Sequence, residues 1–96
     1  MFTLGVTLRA LSPWDDATAA PVAEALGDDG AVWVDPVDPA LLRISAERTA
    51  DEPAAALALG RALAERLRDR APVPAGVLEV SAMDDEDVMV WRAEAC

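Results

Sequence analysis

The sequence predicts an α+β fold: a ferredoxin-like split βαβ sandwich in the order βαββαββ, with two helices on one face of an antiparallel sheet. Three observations predict it. Apolar and polar residues alternate with a period of two from Phe2 to Arg9 and again from Leu41 to Arg48. Each of these stretches is followed by apolar residues at helical spacing. Clusters of Gly, Pro and Asp punctuate the chain between them. The 96 residues are one domain's worth.

In the first strand Phe2, Leu4, Val6 and Leu8 face a core, and Thr3, Gly5, Thr7 and Arg9 do not. Ser12-Pro13-Trp14-Asp15-Asp16 breaks it. A short helix follows, with Ala19, Val22, Ala23 and Leu26 on one side. Pro21 belongs in a first turn, which favours Thr18 over Asp15 or Asp16 as N-cap. Gly27 suits the position just past the helix end. The second strand spans Ala31 to Asp35, and Asp35-Pro36-Val37-Asp38-Pro39 connects it to the third. There Leu42, Ile44 and Ala46 oppose Arg43, Ser45 and Glu47. A long helix over 51–70 is capped by Asp51, with Pro53 at its second position. Ala56, Leu59, Gly60, Leu63 and Leu67 form its apolar stripe, and Gly60 there implies close packing on the sheet. Ala71-Pro72-Val73-Pro74 ends it. Strands from Val77 to Ala82 and from Val88 to Ala93 close the chain as a hairpin. The expected strand order is 4-1-3-2, with strand five beside strand four.

Composition excludes several chemistries. Asp and Glu number 18 against 8 Lys plus Arg, all of them Arg, for a net charge of −10. There is no His, Lys, Tyr, Asn or Gln. The commonest general base and the Schiff-base amine are therefore missing. Ser12, Ser45 and Ser81 have no His to activate them, and Cys96 stands alone at the end of the chain. No catalytic residue, cofactor site or metal site is assigned, and the chain reads as non-enzymatic. A pI of about 4.1 disfavours nucleic acid, since no basic stripe exists to release phosphate counterions. No apolar run approaches a membrane span, and no basic segment precedes an apolar one as in a signal peptide. The expected location is cytoplasmic.

The candidate binding residues fall in two groups. Strand directions place Asp28 and Asp29, Asp51 and Glu52, and the run Asp84, Asp85, Glu86 and Asp87 at one end of the sheet. This acidic pole reads either as a solvated end that keeps the protein soluble or as a field steering in a basic partner. Trp14, Trp33 and Trp91 gather near the opposite end. They either plug the core there or form a shared aromatic anchor for a partner. The sheet face away from the helices carries Thr3, Thr7, Arg9, Arg43, Ser45, Glu47, Glu79 and Ser81. That face and the free edges of strands two and five suggest a homodimer.

The βαββαβ order resembles small regulatory ligand-binding domains such as ACT domains. The resemblance is one of topology, without a shared motif, and implies no residue roles. The sequence thus leads to a small protein-interaction module. Two alternatives are an acidic protein of immunity or antitoxin type that masks a basic partner, and a regulatory small-molecule-binding domain.

Overall fold

The computed structural model describes residues 1–93, with Asp29 described in its backbone only; Cys96, read above as a passive end, lies outside the described residues. β1 (Phe2–Ala10) buries Phe2, Leu4, Val6, Leu8 and Ala10 at alternate positions, as its period requires. β3 (Leu41–Arg48) and β4 (Ala75–Met83) pair antiparallel on its two sides. β2 (Gly30–Val34) lies outside β3, and β5 (Val88–Arg92) outside β4. The sheet order is β2-β3-β1-β4-β5, as the sequence predicts. A bulge between Thr7 and Leu8 shifts the β1–β4 register.

Two helices, α1 (Asp16–Leu26) and α2 (Pro53–Arg70), complete an α+β fold. They touch each other and the same face of the sheet. The core between the layers joins Val6, Leu8 and Val80 of the sheet to Val22 and Leu26 of α1 and Leu67 of α2. Gly60 is buried, and a Cβ there would stand 2.8 Å from Val80 Cγ1. The close helix–sheet approach inferred from this glycine is therefore present.

Three local expectations need correction. Asp15, not Thr18, caps α1: its carboxylate accepts the Thr18 N–H at 2.9 Å, and the Thr18 hydroxyl accepts the Asp15 N–H at 2.9 Å. This reciprocal capping box satisfies two donors of the first turn. Pro21 therefore sits inside the helix, where it deletes the bond to the carbonyl of exposed Ala17. In α2 the N-cap is Glu52, without a side-chain cap bond, and Pro53 takes the first helical position. Proline's fixed φ suits that position best. Finally, Leu59 is 44% exposed, and Ala64 takes its place in the buried stripe with Ala56, Gly60, Leu63 and Leu67. Among the described residues no helix is long and apolar enough to cross a membrane.

Candidate functional site

Because both helices cover one face, the other face of the sheet is bare, and strand register fixes what it displays. Trp33, Arg43, Thr7, Glu79 and Arg92 form one row from β2 to β5. Ala31, Ser45, Gly5, Ser81 and Val90 form the next, and Glu47, Thr3, Met83 and Val88 a third. The middle row is built from small residues. A Cβ at Gly5 would lie 2.6 Å from Ser81 Oγ, so a larger residue there would have to turn the Ser81 hydroxyl aside. The result is a shallow trough of about 210 Å³ along the centre of the face. Its rims are apolar: Trp33 is 47% exposed on the β2 side, and Met83, Val88 and Val90 are 49%, 62% and 48% exposed toward β5.

Apart from Glu47, the charges on this face are matched. Arg43 Nε donates to Asp35 Oδ2 at 2.9 Å, and its Nη1 donates to the Thr7 hydroxyl at 3.3 Å. Arg92 Nε donates to Glu79 Oε2 at 3.0 Å, and Arg9 lies 3.7 Å from Asp38. On a chain of net charge −10, this face is close to locally neutral. Asp35 anchors the network, because its other oxygen accepts the N–H groups of Val37 and Asp38 at 2.8 and 3.0 Å. Missed from the sequence are Asp35 and its pairing with Arg43, a residue already placed on this face. The signal was present in Asp35-Pro36-Val37-Asp38, where an aspartate opening a turn bonds its own backbone two or three residues on.

The backbone N–H groups of Asp38 and Val37, with Arg43, hold the Asp35 carboxyl below the ordinary aspartate value of 3.8. Backbone donors do the same for Asp84, through Asp87 and Glu86, and for Asp15, through Thr18. A carboxyl whose folded value lies below its unfolded one stabilises the fold fully above the unfolded value, and that contribution is lost as pH falls through the folded value. Stability should therefore decline as pH drops below about 3.8, the ordinary value of all three groups. Urea denaturation at pH 7 and pH 3 checks this, and Asp35→Asn should flatten the decline.

The acidic turns lie where strand directions place them, at the β1 N-terminal end of the sheet. They do not converge. Asp28 precedes β2 at one edge and the 84–87 turn joins β4 to β5 at the other, about 19 Å apart across five strands. That separation exceeds the Debye length of about 8 Å at physiological salt. Asp84 is not a free surface charge: its Oδ1 accepts the Glu86 and Asp87 N–H groups at 2.9 and 2.6 Å and so builds the turn. Asp85, Glu86 and Asp87 are exposed. The Asp29 side chain lies outside the described residues. Among the described residues no three acidic or Cys side chains are placed to hold a metal ion.

The three tryptophans do not share a surface. Trp14 is 4% exposed in the core, with its Nε1 donating to the Ala40 carbonyl at 2.9 Å. It is a plug and offers no anchor. Trp91 stands beside Val80 on the helix side of β5, with the Arg61 guanidinium 4.7 Å from its ring centre. Only Trp33 presents its ring to the bare face. The sequence placed the three by strand direction alone, which fixes the end of the sheet but not the side.

No family model, curated protein or solved structure matches this chain.

Proposed function

We propose that this protein is a small, non-enzymatic interaction module that docks a protein partner on the bare face of its sheet. The observation that carries this reading is the row structure of that face: apolar rims of Trp33, Met83, Val88 and Val90 around a low, polar trough with matched charges. An exposed tryptophan beside a depression is the residue type most enriched in interface hot spots. The paired arginines can keep their bonds under a partner, so neither Arg43 nor Arg92 is stranded on docking. A face five strands wide has a flat footprint of about 500 Å² at ordinary sheet spacing. Stable complexes use about 800 Å² per partner, so the module suits transient association.

The test is capture from a native lysate with the full chain and with Trp33→Ala, followed by a titration of the captured protein. Trp33→Ala should weaken binding by about tenfold or more while leaving the melting temperature in place. Equal binding by the two chains would overturn the use of this face.

The reading of a basic partner draws on a different feature. Glu47, Asp84 and Asp85 share a depression of about 410 Å³ at the acidic end, beside Met1 and Met83. A basic side chain would find carboxylates on two sides there. Binding through this end would weaken steeply as salt rises, whereas docking on the matched face would not.

A further inference from the structure

We propose that β5 is a self-pairing edge: two copies of this chain join β5 to β5, antiparallel, about a two-fold axis at Val90. The hairpin bonds Asp84 N–H to the Asp87 carbonyl and Ala93 N–H to the Leu78 carbonyl. Bonded and non-bonded pairs alternate along an antiparallel ladder. Between those two anchors the bonded pairs are Ala82 with Met89 and Val80 with Trp91. Met89 and Trp91 thus turn their polar groups inward to β4. Val88, Val90 and Arg92 turn theirs outward, and among the described residues no strand lies beyond β5. The side chains match this edge. Val88, Met89 and Val90 are 62%, 37% and 48% exposed, a run without the lysine, proline or bulge that usually protects an edge. Each edge strand has a helix against one face, but at the other edge β2 is followed by Pro36.

The occupant follows from complementarity. In an antiparallel pair centred on Val90, each outward group meets its counterpart: Val90 faces Val90, and Val88 faces Arg92. Met89 then lies across from Trp91, a sulfur–aromatic contact. Arg92 of each copy comes beside the Asp87 end of the other. Parallel pairing would instead set one acidic turn against the other. The charge pattern therefore selects the antiparallel arrangement and closes it at two copies. The pair would carry one continuous sheet, with the bare faces of both copies side by side. This inference does not depend on the Trp33 reading, since a protein that stays monomeric can still dock a partner on its face.

The test is sedimentation of the full chain across micromolar concentrations, in which a species of twice the 10.1 kDa chain mass is expected. Val90→Pro removes an N–H that β4 does not use. It should leave circular dichroism unchanged while raising the dimer dissociation constant by about tenfold or more, as expected for two lost inter-chain hydrogen bonds. A second pair of variants decides the matter if Val90→Pro perturbs folding. On net charge alone, Val88→Arg should favour association of two anionic chains and Val88→Glu should oppose it. The proposed register inverts that order, because residue 88 faces Arg92 of the other copy. In amide exchange, Val88, Val90 and Arg92 should gain protection as concentration rises. A monomer throughout, a dimer indifferent to Val90→Pro, or the net-charge order at residue 88 would each overturn the proposal.

Discussion

Leu67→Ala should lower the free energy of unfolding by about 2–5 kcal/mol, the range for emptying a leucine site in a packed core. Leu67 is fully buried in the layer between α2 and the sheet, in one cluster with Val6, Leu8 and Val80. The alanine would lose that burial and leave a void that the β1–β4 ladder resists closing. Leu59→Ala removes the same atoms from the same helix, at a position 44% exposed. It should change stability by under about 1 kcal/mol. Paired urea titrations of the two variants check both numbers. Equal losses would mean that α2 is rotated from the orientation described here.

Gly30→Ala should be comparably damaging, at about 3 kcal/mol or more, although it adds one methyl group on an exposed edge strand. A Cβ at Gly30 would collide with the backbone carbonyl oxygen of Ser45, and would lie 3.1 Å from both Ala46 Cα and Leu26 Cδ2. Two of those three obstacles are backbone, which cannot turn aside as a side chain can. The β2–β3 pairing must therefore open at Gly30, with α1 displaced at Leu26. Gly76→Ala is the control, because a Cβ there meets nothing within 4 Å. It should be neutral, or stabilising by up to about 1 kcal/mol through the unfolded chain. Thermal melts of the two variants make the comparison.

The sheet order and the bare face were readable in the sequence because each rests on a period-two pattern that a one-residue slip would invert. Thr3, Thr7, Arg43, Ser45, Glu47, Glu79 and Ser81 all fall on the predicted face. What could not be read was set by contacts between distant segments. Leu59 lies at the margin of the helical stripe, and only the placement of α2 over Val80 decides that Ala64 is buried instead. Trp91 and Trp33 stand at similar heights in the sheet, but the register turns one toward the helices and the other away. The cap of α1 went to Asp15 because a reciprocal pair of hydrogen bonds outweighed the one removed by Pro21. The outward polar groups of β5 were unreadable for a similar reason. They depend on which pairs of the hairpin are bonded, and the turn built by Asp84 settles that.

The separation of the three tryptophans gives the molecule built-in optical probes. Trp14, enclosed in the core, emits as an indole in an apolar solvent and is shielded from quenchers until the fold opens. Trp33 emits toward water and meets any dissolved quencher at once. Trp91 lies between these extremes, under a guanidinium at the sheet edge. With Phe2 the only other aromatic residue and no tyrosine in the chain, the near-ultraviolet signal comes almost wholly from these indoles. Unfolding would move Trp14 into water, a partner on the bare face would cover Trp33, and a strand added at β5 would lie beside Trp91, so each event would report through a different indole without a label.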